Sequence, residues 1–431
     1  MARTVTVRSA RLGIRSATFP RNRSIPKRYV QWRTLGKPCL RSTERLPSQS
    51  ESSPPASSPL RGRELLVKNV LRERKTPQHQ ETEPIDRRTL PPEAAAAVFC
   101  SAEEIAITLD RTPGGSAPIR RTLSDPALIR LVDAFAADLP AAVRTALRPP
   151  DTAAGATIIG RLPVRDDELG PTPSDWTHAA EPACPASFRL DIALLLLARC
   201  AGEPFGWQGQ QGGRLVNNIL PTPGHEHEQS GASSTTLLSP HTEDAFHPER
   251  AHLLLLGCLR NPDRVGTTVS SVRRVNLDAD GRRLLAEPTL PILPDVSYGE
   301  DFSGHRPAPV ATVGAGDGGP TLRYDPAYTP LDDAAPEYRC AYAHLGTELE
   351  RVCHRAVLEP GELLLMDNDV VVHGRVPFTP RYDGTDRWLK RVNIRLARRR
   401  APAEAGESGY GQRTVRPFAP NPAEAPQISH R

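Results

Sequence analysis

Between residues 251 and 394 the chain carries five short apolar runs, and their length restricts the fold more than any other feature. They are AHLLLLGCL (251–259), TTVSSVRRV (267–275), GELLLMD (361–367), DVVVHG (369–374) and WLKRVNI (388–394). Each is short for a core helix, is rich in aliphatic or β-branched residues and is bounded by Gly, Pro, Asp or Asn, so each reads as a strand. Many short strands separated by turn residues predict a double-stranded β-helix, or jelly roll. LLLMDNDVVVH reads as two strands around a turn at Asn368, which puts His373 at the mouth of such a barrel. Upstream, the segment 124–147 predicts a helix with Ser124 or Asp125 as its cap and Pro126 in its first turn. A more apolar helix is expected over 186–207, ending near Gly202 and buried against the sheet. The expected fold class is therefore α+β, a jelly-roll core with flanking helices. No internal repeat is found.

The chemistry is carried by His241 and Glu243 in HTEDAF (241–246) and by His373 in DVVVHGR (369–375). Two imidazoles and a carboxylate on one face of a metal leave the opposite positions open, which suits non-haem Fe(II) and oxygen chemistry. On an extended segment His241 and Glu243 point the same way. Asp244 is the other carboxylate in the motif, but Glu243 holds the position two after His241. His225 and His227 repeat an H-x-H spacing without a partner elsewhere and read as an exposed loop. His247 and His252 flank the motif outside ligand positions.

In the last run Arg387, Leu389, Arg391 and Asn393 fall on one strand face, and Trp388, Lys390, Val392 and Ile394 on the other. A desolvated guanidinium needs an anion, and its fork fits a carboxylate. One arginine is expected to hold the distal carboxylate of 2-oxoglutarate and the other a carboxylate of the substrate. The alternative is that both are solvated, or pair with Asp383 or Asp386.

The stretches 205–221 (FGWQGQQGGRLVNNILP), 241–272, 322–328 (LRYDPAY) and 371–394 together resemble the clavaminate synthase-like branch of the Fe(II)/2-oxoglutarate dioxygenases. Within it they are similar to the group that hydroxylates free L-amino acids, L-arginine and L-asparagine among them, at C3. The resemblance covers roughly residues 88–400. It implies Fe(II) on His241, Glu243 and His373, with 2-oxoglutarate and O2 as co-substrates. It implies that Arg387 and Thr268 bind the C5 carboxylate of 2-oxoglutarate. Gln210 and Arg391 match positions that hold the amino acid's carboxylate. Glu243 also matches the group that meets its ammonium, and Asp325 one of two lid aspartates that grip a guanidinium. Ala327 stands where the second would be. The expected activity is β-hydroxylation of L-arginine or a guanidino relative such as enduracididine, in specialised peptide-antibiotic biosynthesis. Desaturation or cyclisation, hydroxylation of another polar amino acid such as asparagine, and a non-enzymatic metal-binding jelly roll are the alternatives.

Charge divides the chain. Arg3 to Arg88 holds 20 basic and 7 acidic residues, a net +13, while the remainder has 35 and 43, a net −8. The expected domains are a disordered basic Arg/Ser/Pro-rich extension over 1–88, the dioxygenase over 89–400 and a flexible tail over 401–431. The extension's first forty residues contain no Asp or Glu, as in a transit peptide or a nucleic-acid-binding arm. Without aromatic interleaving or periodicity, disorder is the expectation. Seven cysteines (39, 100, 184, 200, 258, 340 and 353) are scattered without C-x-x-C, which points to reduced thiols rather than a disulfide framework or structural zinc. Cys258 reads as core and the Cys353–His354 pair as structural. No secretory h-region or apolar run of about 18 residues is found. A cytoplasmic enzyme acting on a small molecule, without a membrane or nucleic-acid partner, is expected; its oligomeric state is left open. Deleting residues 2–80 is expected to leave the melting temperature and turnover unchanged. Loss of soluble protein on truncation would show instead that the extension packs.

Overall fold

A computed structural model of the chain describes residues 85–111, 122–179, 185–298, 308–316, 318–397, 400, 404, 407 and 409–418. The segment 1–84, with Cys39 in it, and Cys184 lie outside the described residues.

The larger sheet runs β1 (Asp86–Thr89), β2 (Ala156–Gly160), β11 (Leu363–Asp367), β6 (Leu253–Arg260), β13 (Trp388–Arg395), β3 (Glu203–Trp207) and β14 (Thr414–Val415), with β4 (Val216–Ile219) also paired to β13. Its pairs are antiparallel except β1 with β2. The smaller sheet runs β10 (His354–Ala356), β7 (Thr267–Ser271), β12 (Val371–Arg375) and β5 (Leu238–His241), all antiparallel. β8 (Val313–Gly316) and β9 (Gly319–Leu322) form a separate hairpin. All five sequence-predicted runs contain a strand. In 267–275 the strand stops at Ser271 and a 3-10 turn follows.

The apolar run of β6 explains the layering. Leu253, Leu255 and Leu259 pack into one core with the helices, while Leu254, Leu256 and Cys258 pack into another on the opposite face. β11 divides the same way, Leu363 and Leu365 against Leu364 and Met366. Strands buried on both faces need no polar alternation, and so read as continuous apolar runs. The helix Pro185–Ala201 lies on the outer core, where the missing side chain of Gly257 admits it; a Cβ there would stand 3.0 Å from Leu194 Cδ2. The segment 124–147 is two helices, Pro126–Asp138 and Ala141–Ala146, rather than the one expected. Asp125 caps the first through the N–H groups of Ala127 and Leu128. Leu139, placed before Pro140, is forced out of the helical region.

Both expected boundaries differ from what is observed. β1 begins at Asp86, inside the segment assigned to the extension, because Asp86–Thr89 supplies a strand for β2. The segment 401–431 is not wholly a free tail. Glu404 and Glu407 form ion pairs with the buried Arg250 and Arg323, and Thr414–Val415 pairs with Trp207 and Gly206. Two buried guanidinium groups need carboxylates, and this segment supplies them. No described helix is long and apolar enough to cross a membrane.

β13 keeps the two faces read from its sequence. Trp388, Val392 and Ile394 face the helices and Leu389 the inter-sheet core. Lys390 lies fully buried on the helix side, donating to Asp191 of the helix Pro185–Ala201 at 2.6 Å and to Asn218 at 3.0 Å. Arg214 donates to the other oxygen of Asp191 at 2.9 Å. Removing one partner of a buried pair strands the other charge, at a cost of about 3–5 kcal/mol. Asp191→Ala is therefore expected to lower unfolding stability by about that amount in denaturant titration. A loss below about 1 kcal/mol would show that Lys390 and Arg214 find other partners.

Candidate active site

The site is built where β12 lies between β5 and β7. In register, His373 stands opposite His241 on one side and Val269 on the other. Gly374 makes this possible, since a Cβ there would stand 2.3 Å from Leu238 O. The two imidazole rings lie 4.5 Å apart. β5 ends at His241, so Glu243 is not on the extended segment expected but in the turn that follows. Asn368, the turn residue between β11 and β12, holds that turn. Its Oδ1 accepts from Glu243 N at 2.9 Å, and its Nδ2 donates to Glu243 O and Ala251 O, each at 3.0 Å. Sequence reasoning gave Asn368 only its turn.

Ligand atoms of His241, Glu243 and His373 all lie within 4.8 Å of one another. Glu243 Oε2 is 3.8 Å from His241 Nε2 and 3.4 Å from His373 Nε2. His241 Nδ1 is 2.8 Å from Ser239 O, which makes Nδ1 the donor and leaves Nε2 for a metal. Glu243 Oε2 is buried without a hydrogen-bond partner. An orphaned carboxylate oxygen between two imidazole nitrogens fits a divalent cation. Burial works against a charged His241, but Glu243 and Asp325 outweigh it and hold the imidazole up at about 9. Burial also opposes the Glu243 charge, which Arg391 and the two histidines hold well below the usual carboxylate range.

Arg387 and Arg391 both enter the cavity, and neither takes Asp383 or Asp386. Asp386 instead accepts from the backbone of Arg381 and Tyr382. Arg387 is buried, donates to Thr267 Oγ1 at 3.1 Å and leaves Nε without a partner. Burial lowers its pKa to about 10. Thr268, expected beside it, is on the wrong face. Its Oγ1 lies 3.0 Å from where a Gly374 Cβ would stand, on the side of β12 opposite His373, whereas Thr267 lines the cavity. The phase of β7 is what its sequence, two adjacent threonines, left open. Arg391 pairs with Glu243 and donates to Gln210 Oε1 at 3.0 Å and Asn217 Oδ1 at 3.5 Å, again with Nε unpartnered. Arg375, two residues after His373, is a further buried cation lining the cavity that sequence reasoning missed. It donates to carbonyls of Ser233, Ser234 and Thr236, and burial, with Arg387 nearby, lowers its pKa to about 9.

Asp325 stands beside His241 and accepts from the N–H groups of Ala327 and Tyr328. Burial raises it to about 6. Asp295 was missed, because it lies in a Pro-rich loop without periodicity. It lines the cavity, its pKa is raised by burial, and it feels the charges of Glu243 and Arg391. Asp325 in turn feels Asp295. His225 lies at the mouth, half-exposed and paired with Glu228, while His247 packs on Trp207 and His252 accepts from Leu396 N. The cavity is about 830 Å³.

Two sheets meeting at two imidazoles, a carboxylate and a pair of inward arginines define a 2-oxoglutarate-dependent non-haem iron dioxygenase. The chain belongs to the taurine catabolism dioxygenase TauD, TfdA family, whose model matches residues 198–393. It is 38% identical over 285 residues to enduracididine β-hydroxylase of Streptomyces hygroscopicus, covering 60% of this chain and 83% of that one. It is 35% identical over 263 residues to L-ornithine/L-arginine 3-hydroxylase of Catenulispora acidiphila, covering 55% and 75%. Among solved structures it is similar to the non-heme iron oxygenase OrfP. With Fe and alpha-ketoglutaric acid bound, the TM-score is 0.60 at 37% identity, over 72% of this chain and 94% of that one. With Fe, succinate and (3S)-hydroxy-L-Arg, it is 0.61 at 35% identity, over 72% and 93%. The chain is thus an enzyme that uses iron and 2-oxoglutarate, in agreement with the reading of its motifs.

His373→Ala is expected to abolish metal binding, read with Co(II) as a spectroscopic probe, together with succinate formation. Arg387→Ala is expected to keep the metal and raise the KM for 2-oxoglutarate roughly ten- to hundredfold, the equivalent of ~1.5–3 kcal/mol. Arg387→Lys should rescue only part, since an ammonium lacks the fork. A normal 2-oxoglutarate dependence in Arg387→Ala would make that arginine structural.

Proposed function

We propose that the enzyme hydroxylates the β-carbon of a free L-amino acid with a cationic side chain, L-arginine or a cyclic guanidino relative, for peptide-metabolite assembly. The observation that carries this reading is the distribution of charge in the cavity. Two arginines with a buried, unpartnered Nε point inward, which suits two carboxylates. Two aspartates, neither in an ion pair with a described Lys or Arg, stand near the metal ligands. An α-amino acid bearing a cation, together with 2-oxoglutarate, satisfies both sets at once.

In this reading His241, Glu243 and His373 hold the iron. When bound, iron with O2 supplies the oxidant while 2-oxoglutarate is converted to succinate and CO2. Arg387, with Thr267 beside it, holds the C5 carboxylate of 2-oxoglutarate. Arg391, Gln210 and Asn217 hold the amino acid's carboxylate, and Glu243 meets its ammonium. Pinning both groups of the α-carbon brings the β-carbon closest to the metal ligands. Asp295 and Asp325 meet the cationic end, so Asp295 takes the part of the carboxylate absent at Ala327. No side-chain acid or base takes part in the oxidation.

The fold supports the same reading. The chain alternates between the larger and smaller sheets through β4, β5, β6 and β7, and again through β10, β11, β12 and β13. This winding supports the reading of a double-stranded β-helix. The free cysteines Cys100, Cys200, Cys258, Cys340 and Cys353 accord with work in the cytoplasm.

A panel of free amino acids with Fe(II) and 2-oxoglutarate, read by mass spectrometry, tests the proposal. L-Arginine or a cyclic guanidino amino acid is expected to gain about 16 mass units, and a loss of about 2 would mean desaturation. Asp295→Ala and Asp325→Ala are each expected to raise KM for that substrate by roughly tenfold or more with a smaller change in kcat, as for lost ground-state binding. Faster turnover of neutral amino acids than of any cationic one would overturn the assignment of the aspartates.

A further inference from the structure

The segment that carries Asp295 is tied down at both ends. At one end Tyr410 OH donates to Ile292 O at 2.8 Å, and Leu293 N donates to Tyr328 O at 2.9 Å. At the other, Asp295 opens a tight turn. Its Oδ1 accepts from Ser297 N at 2.7 Å and its carbonyl from Tyr298 N at 3.2 Å. Asp295 and Tyr298 therefore close one turn. The Tyr298 hydroxyl reaches across to Asp244 and donates to Oδ1 at 2.5 Å. Trp207 Nε1, from β3, donates to the other oxygen of Asp244 at 2.7 Å. The Tyr298 ring packs edge-on against Phe246 and Trp207, with centroids 5.1 and 6.1 Å away.

Asp244 follows Glu243 directly and has a φ of 52°, a backbone conformation that few non-glycine residues adopt. Two donors and a left-handed backbone leave its carboxylate little freedom. The phenol of Tyr298 is thus a polar link between the turn bearing Asp295 and the turn bearing Glu243. Ring packing alone would keep Tyr298 buried, but it is not directional enough to set the height of a carboxylate over a cavity. A short, linear hydrogen bond is.

We infer that Tyr298 is a positioning residue for substrate selection: by bonding Asp244 it sets where Asp295 stands above the amino-acid half of the cavity. This rests on the reading of Asp295 as a group that meets the substrate's cationic end. Neither Tyr298 nor Asp244 takes part in the chemistry. Their bond ties the turn that carries Asp295 to the residue that follows Glu243, while Asn368 holds Glu243 itself.

Tyr298→Phe keeps the ring and removes only the hydroxyl. In the full-length enzyme with Fe(II), it is expected to raise KM for the preferred cationic amino acid about tenfold, with kcat within about twofold. KM for 2-oxoglutarate should stay at its wild-type value, and the thermal unfolding midpoint should fall by no more than the loss of one buried hydrogen bond, which a general loosening of the fold would not allow. In an Asp295→Asn background the same substitution should add less than about twofold, because residues acting through one another are not additive. An unchanged KM in Tyr298→Phe, or an equal further loss in the Asp295→Asn background, would overturn the positioning role. A wild-type preference for neutral amino acids would instead remove the reading of Asp295, so the two failures are told apart.

Discussion

Everything the cavity presents depends on the register of one strand, and a buried ion pair on its far side holds that register. Lys390 on β13 is bonded to Asp191 and Asn218 among the helix-facing side chains. Across the pair of β13 and β4, Lys390 lies opposite Asn218 and Arg391 opposite Asn217. Trp388 Nε1 donates to the same Asn218 oxygen at 3.0 Å. A slip of one residue would turn Lys390 into the cavity and Arg391 into the helix layer. Apolar packing alone would resist this weakly, since both faces of the sheet are apolar. Lys390, fully buried and bonded to both Asp191 and Asn218 on the helix side, adds a directional constraint that apolar packing lacks. The outer ion pair therefore specifies the inner arginines.

The inner face has the opposite problem, because its charges are left without complete partners. Glu243 has a carboxylate oxygen with no hydrogen bond, and Arg387 and Arg391 each have a buried Nε with none. Buried polar groups without partners are rare in native proteins and mark places where a ligand belongs. Such groups are tolerated because Asn368 and Asp244 hold the backbone around them. Asn368 makes three bonds to backbone atoms of Glu243 and Ala251. Asp244 is held by Trp207 and Tyr298.

Much of this was legible from sequence, for identifiable reasons. β6, β11 and β12 were legible because strands buried on both faces leave unbroken apolar runs. The faces of β13 were legible because alternation over eight residues allows one phase that puts both arginines together. β7 carries two adjacent threonines, and one position of phase separated Thr268 from Thr267. Glu243 was identified correctly but for an incomplete reason, since a turn held by Asn368 and not an extended strand aims it. Asp295 and β14 had no local signal. The first lies in an irregular loop, and the second is two residues long and exists only through its pairing with β3. Interactions made by tertiary contact alone leave no period in the sequence.

The sign of the charges around the metal ligands bears on how one cavity takes two carboxylate-bearing molecules without confusing them. In the proposed arrangement Arg387 lies beside a second buried cation. Arg375 is its charged neighbour, and the described partners of that guanidinium are neutral: carbonyls, the Ser233 hydroxyl and the Phe378 ring. Arg391 lies among acids, facing Glu243 and feeling Asp244 and Asp295. A dianion without an ammonium is attracted to the first end and repelled by the second. A zwitterion with a cationic side chain is attracted to the second, where Arg391 takes its carboxylate and the acids take its two positive groups. Exchanging the molecules would set like charges together at both ends in a site of low polarity, where such errors are costly. In that arrangement, discrimination between co-substrate and substrate would come from the asymmetry of charge across the metal ligands, and the two arginines on one strand face would serve different molecules because their neighbours differ.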